Sequence, residues 1–192
     1  LNPMPTGDIY NELLEMSFIG LLTVIFRKDI YNTITPVIEP IFNKTLMGDR
    51  ILWLAMSRES KVHYLPDITA IYRRHDKSVS ANTTIERAKS FFESSYYIRF
   101  YFIKKFGCKK ETEKKVYLDY HKVLLEFSFK ERGFLEAKKN YNAIKELQNP
   151  SLTDFLYFIG SRNNLNSIIA MRILQLLIIS QKIKKRINRY FR

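Results

Sequence analysis

Residues 47 to 80 read MGDRILWLAMSRESKVHYLPDITAIYRRHDKSVS, and the order of their parts decides how the first half of the chain is taken. Gly48 lets the backbone turn tightly, and Asp49 falls in the first turn of a helix, where the macrodipole favours a carboxylate. Leu52, Trp53, Leu54, Ala55 and Met56 then bury that helix and hold Asp49 on a rigid element. After a turn at Glu59, Ser60 and Lys61, the residues Val62, Tyr64 and Leu65 read as a strand. Pro66 and Asp67 break it, and Ile68 to Tyr72 read as a second strand that delivers Arg73, Arg74 and His75 at its end. An acid and a cationic cluster are thus expected to meet in one cleft, as chemistry with a phosphate leaving group requires.

With 192 residues, 46% apolar and 14% aromatic, the chain can bury one core or two small ones and is not disordered. Cys108 is the one cysteine, which excludes an internal disulfide framework and suits a reducing compartment. No Cys/His zinc spacing and no Asp-x-Asp occur, and Leu1 to Asp8 lack the features of a signal peptide. Charge is uneven. Residues 1 to 80 hold nine Lys/Arg against nine Asp/Glu, whereas residues 81 to 192 hold 23 against ten, which accounts for all of the net +13. Composition therefore sets a boundary near Ser80.

Beyond it the pattern is helical. Thr83, Thr84, Ile85 and Glu86 carry a capping-box signature, and Ile85, Ala88, Phe91, Phe92, Ser95, Ile98 and Phe102 follow at helical spacing until Gly107. A helix over about 83 to 106 is expected. A second spans Thr112 to Arg132, with Val116, Tyr120, Val123, Leu124 and Phe127 on one face. Gly133 ends it before a third with Phe134, Ala137, Tyr141, Ile144 and Leu147. The last two form an αα-hairpin, and since no second copy recurs at a fixed period, an ordinary helical bundle is expected rather than a repeat array. Ser151 caps a short helix to Ile159, the run from Gly160 to Asn164 is a loop, and a last helix follows.

That last helix combines Leu165, Ile168, Ile169, Ile173, Leu174, Leu176, Leu177, Ile178 and Ile179 with a basic end, Lys182, Lys184, Lys185, Arg186, Arg189 and Arg192. Its uninterrupted apolar runs are far shorter than the ~20 residues that span a bilayer. Two readings stay open: a helix lying on an anionic membrane surface, or a core helix with a solvated basic tail. Nucleic acid is not expected as a partner. The aromatics interleaved with basic residues from Tyr96 to Lys105 fall mostly inside by helical period, and no zinc finger, RNA-recognition signature or helix-turn-helix is found.

In the order Gly48, Asp49, Leu52, Trp53 and then Tyr72, Arg73, His75, Ser78, the chain resembles the family-2 inverting glycosyltransferases of bacterial cell-surface polysaccharide synthesis, which carry Gly-Asp-x-x-Leu-Trp followed by Tyr-Arg-x-His-x-x-Ser. The upstream run from Phe18 through Thr23 to Lys28 is similar to the family's strand entering the acceptor side of the site, followed by a short helix. The resemblance covers roughly residues 7 to 80. It implies an α+β, predominantly helical fold: an acceptor-side remnant of a GT-A domain over residues 1 to 80, with helices and a few short strands, followed by a basic helical bundle over 81 to 192. The family's nucleotide-binding strands and Asp-x-Asp metal motif would precede this region. The chain, which lacks an initiator Met, is accordingly expected to be a C-terminal piece that is inactive by itself.

The same resemblance implies roles. Asp49 is the general base that takes a proton from an acceptor hydroxyl as that oxygen attacks the anomeric carbon in line, with inversion. Arg73 or Arg74 stabilises the leaving diphosphate, as a forked guanidinium does well. His75 approaches the diphosphate or its divalent metal, Mg or Mn, in the whole enzyme. Trp53 and Thr23 lie on the acceptor side. For each residue a plainer reading stands beside the functional one: an N-cap for Asp49, a solvated pair for Arg73 and Arg74, a structural His75, and core packing for Trp53. The expected partners are a nucleotide sugar, a glycan or lipid-linked acceptor, an anionic membrane surface, and a second copy of the chain through surface that truncation exposes. The expected location is cytoplasmic, peripheral on the inner face of the membrane. The alternative from a different class is a noncatalytic helical interaction or membrane-docking module.

Overall fold

The computed structural model describes residues 4 to 71 and 84 to 190, with side chains through Gln181. Its described residues are predominantly helical. They form α1 (Tyr10–Glu15), α2 (Lys28–Phe42), α3 (Gly48–Glu59), α4 (Ile85–Phe106), α5 (Lys110–Glu131), α6 (Phe134–Leu147), α7 (Leu152–Gly160) and α8 (Asn164–Tyr190). Contacts divide the chain inside α5, into one unit ending at Val116 and another beginning at Tyr117, whereas charge changes near Ser80.

In the first unit, α3 is the central element and packs against α1, α2 and α4. Its Ile51, Trp53, Leu54, Ala55 and Met56 are buried together with Leu13 and Leu14 of α1, Ile34, Ile38 and Ile41 of α2, and Ile98 and Phe102 of α4. Buried polar groups tie the helices across this core. The Tyr10 hydroxyl donates to the carbonyl of Phe102 (3.1 Å), and Tyr101 donates to that of Val37 (3.2 Å). The loop before α3 is pinned by the Leu46 amide, which donates to Ser94 Oγ (2.7 Å). Helix α2 contains Pro36 and Pro40, each of which removes one helical donor. Both lie on the exposed side, so the carbonyls of Asn32 and Pro36 left without donors can take water, while Ile34, Ile38 and Ile41 keep the opposite face packed.

The few short strands expected here are corrected. Gly7 and Val62 form an isolated antiparallel bridge (2.6 and 2.9 Å), and the other described residues up to Ile71 form no strand. The alternation of Val62, Tyr64 and Leu65 fits a strand only where a partner edge supplies hydrogen bonds, and Gly7 supplies a single rung. Ile68 and Ile71 are more than nine-tenths exposed. The expected strand through Thr23 is likewise a 3-10 turn at Leu21–Thr23 between extended residues, and the helix after it, α2, is 15 residues long rather than short.

The second unit follows its sequence signals closely. In the first unit the N-cap of α4 is Thr84, whose Oγ1 accepts from the Arg87 amide, one residue later than the box expected between Thr83 and Glu86, and Gly107 ends that helix at a φ of 68°. Downstream, Ser151 and Asp154 form a reciprocal capping box at α7. The α5 to α6 turn departs from expectation: the left-handed residue is Arg132, with φ 57°, and Gly133 follows it with φ −87°. The core has two centres. Leu125, Ala137 and Ile144 pack with Tyr141 and Phe158, whose rings stack at 4.5 Å. Phe129, Leu156 and Ala170 pack with Ile173, Leu174 and Leu177 of α8. A polar chain joins α5 to α6: Asn140 donates to the Glu136 carbonyl (2.9 Å), which turns its Oδ1 toward His121, so Nδ1 of that ring donates (2.9 Å).

Candidate functional site at the start of α3

The residues around Asp49 fix its backbone from both sides. Gly48 opens α3 and sits under the ring of Phe42; a Cβ there would lie 3.0 Å from Phe42 Cε2. Glycine here allows that close approach within the helix, rather than the tight turn anticipated, and a Cβ would require the half-exposed Phe42 ring to shift by a few tenths of an ångström. Arg50 is 4% exposed and its guanidinium donates to the Leu13 carbonyl (3.2 Å), which locks the first turn of α3 to the end of α1. Sequence reasoning passed over Arg50, although a charged residue beside the apolar run Ile51 to Met56 was the available signal.

Asp49 itself is half-buried in the first turn. The N-cap is Met47, which makes no side-chain cap, so Asp49 is not the N-cap. Its Oδ1 accepts from the Arg50 amide (2.8 Å), one of the four amides that a helix start leaves without an internal partner. Among the described residues the carboxylate forms no ion pair.

Trp53 lies one turn on along α3 and is 4% exposed, with no hydrogen-bond partner for Nε1 among the described residues. In this arrangement no sugar face can lie against its ring; it packs the core. Thr23 ends the 3-10 turn, exposed, and its hydroxyl donates to the Gly20 carbonyl (3.0 Å), with no bond to Asp49. The segment around it is apolar and open, with Leu21, Leu22 and Ile25 all more than half exposed. Tyr72, Arg73, Arg74, His75 and Ser78 lie outside the described residues, so the meeting of acid and cations is not part of the described geometry.

The described residues bring together no group of three His, Cys, Asp or Glu side chains able to hold a metal ion. His75, the residue that the resemblance sets near Mg or Mn in the whole enzyme, lies outside the described residues. Elsewhere in this unit, burial pushes the Tyr10 hydroxyl up to about 12, against the opposing pull of the Arg58 guanidinium 5.1 Å from its ring. Burial also raises Cys108, with Glu113 adding to the effect.

Comparison with protein-family models, with curated proteins and with solved structures finds no match for this chain.

Proposed function

We propose that residues 1 to 80 are the acceptor-side part of an inverting, sugar-nucleotide-dependent glycosyltransferase, in which Asp49 is the general base. The observation that carries this reading is the fixation of Asp49. A half-buried carboxylate, with no ion pair among the described residues, stands on the first turn of a helix whose Gly48 lies against the Phe42 ring and whose Arg50 is bonded to Leu13. A base must hold its position within hydrogen-bond reach of one hydroxyl, and an element so constrained can do this.

In this reading the acceptor oxygen gives its proton to Asp49 as it attacks the anomeric carbon, the bond to the nucleoside diphosphate breaks on the opposite face, and the configuration inverts. The sequence Tyr72, Arg73, Arg74, His75 places forked donors after α3 in chain order, where they would stabilise the leaving diphosphate. The reading requires a nucleotide-binding part, and the exposed Leu21, Leu22, Ile25, Ile68 and Ile71 are apolar surface on which one could pack.

The test is Asp49→Asn in the native polypeptide that carries this sequence, followed by release of nucleoside diphosphate from a panel of nucleotide sugars. The substitution keeps the side chain's size and its acceptor for the Arg50 amide. Turnover should fall by ~10²- to 10⁴-fold, the range of a positioned base, with donor KM little changed. Undiminished turnover removes Asp49 as the base. Absence of any release from the unmodified protein favours the noncatalytic module.

A further inference from the structure

Helix α8 is apolar on two sides. Ser167 and Ala170 are buried on its inner side, and Ile173, Leu174 and Leu177 pack there beside Phe129 and Leu156. On the other side Leu165, Ile168, Ile169, Leu176 and Ile179 are each half or more exposed. At 3.6 residues per turn these five fall within an arc of about 100°, turned away from the packed face, and run along about 21 Å of helix. Arg172 and Gln175 are the polar residues on this exposed side. The two readings of this helix are therefore not exclusive, since one face fills the core and a second remains open.

Charge selects what covers the open face. No Asp or Glu follows Asp154, while Arg162, Arg172, Lys182, Lys184, Lys185, Arg186, Arg189 and Arg192 do. Two copies meeting along this face would bring like charges together, and an acidic lipid surface meets both the apolar strip and the cations. No described helix is long and apolar enough to cross a membrane, so the contact is a surface one. We propose that the outer face of α8 lies on an anionic lipid leaflet with the helix axis in its plane, and that the basic run from Lys182 to Arg192 supplies the long-range attraction. Arg172 can extend its stem along the apolar strip and keep its guanidinium among headgroups. This contact is independent of sugar transfer and stands if that reading falls.

The experiment is co-sedimentation of the full chain with vesicles of phosphatidylcholine alone and of phosphatidylcholine with phosphatidylglycerol. Binding should require the anionic lipid and weaken as salt rises. Each Lys or Arg near an anionic leaflet adds about fivefold to partitioning, so replacing all six basic residues from Lys182 to Arg192 by Gln should lower it at least about a hundredfold. The variant Ile168→Gln, Leu176→Gln, Ile179→Gln alters only exposed positions, and unchanged circular dichroism verifies its fold. It should lose partitioning by about tenfold or more, since binding scales with buried apolar area. Equal binding to both vesicle types, no binding to either, or undiminished binding of the triple variant overturns the proposal. So does self-association of the chain without lipid that the triple variant abolishes, which would make a second copy the occupant.

Discussion

Replacing Gly160 by alanine tests how α7 and α8 meet. Gly160 is the last residue of α7, buried, and a Cβ built there would run into the ring of Phe129 and come within 2.9 Å of Ala170 Cβ on α8. Neither neighbour gives way easily. Phe129 is 8% exposed and lies 5.3 Å from the Tyr157 ring, and Ala170 belongs to the backbone of a 27-residue helix. Alanine gains at most about 1 kcal/mol over glycine from helix propensity, and less at a helix end. Overpacking a core costs about 1 to 3 kcal/mol, so a net destabilisation of about 1 to 2 kcal/mol is expected. Urea unfolding of the full chain, with amide exchange in α7 and α8 to assign the loss to the second unit, measures it. Shrinking the ring should relieve the clash, so Gly160→Ala with Phe129→Leu should be less destabilised than the sum of the single changes by about 1 kcal/mol. A neutral or stabilising Gly160→Ala, or strictly additive effects, would refute the close approach.

Two further changes probe polar groups of each unit. Asp154 accepts from the Ser151 amide (2.8 Å) and hydroxyl (2.7 Å) and lies 3.6 Å from Lys122, so Asp154→Ala should cost about 1 to 2 kcal/mol of unfolding free energy in the second unit, while Asp154→Asn, which keeps an acceptor, should cost less. The Tyr10 hydroxyl is held up to about 12 by burial, above its ordinary 10. Folding thus favours its protonated form, and the stability this contributes is complete below pH 10 and is lost as pH rises through 12. Thermal melts from pH 9 to 12 should show a decline of the first unit that Tyr10→Phe reduces; an identical decline in the variant would sever it from Tyr10.

Helices α4 to α8 were legible because their ends carry local chemistry. Thr84 and Ser151 satisfy amides at helix starts, Gly107 adopts a positive φ at a helix end, and the apolar residues between recur at helical spacing. The first unit was less legible because its signals conflict with its tertiary partners. Pro36 and Pro40 argue against a helix, and α2 exists because they face water while three isoleucines pack. Val62, Tyr64 and Leu65 carry a strand's alternation but find one bridging residue. The division within α5 is invisible in sequence, since a continuous helix conceals the point at which its packing partners change. At the candidate site Asp49 was placed in the first turn of α3 as expected, and Trp53 followed the apolar period into the core. What fixes Asp49, the contacts of Phe42 and Arg50, joins residues too distant in the chain for spacing to reveal.

The most direct test of the central proposal is the anomeric configuration of product, read by proton NMR, from the native polypeptide and its Asp49→Asn variant supplied with nucleotide sugar and acceptor. The account predicts a linkage opposite in configuration to the donor and almost no product from the variant. A linkage of retained configuration, or equal product from both proteins, would contradict it.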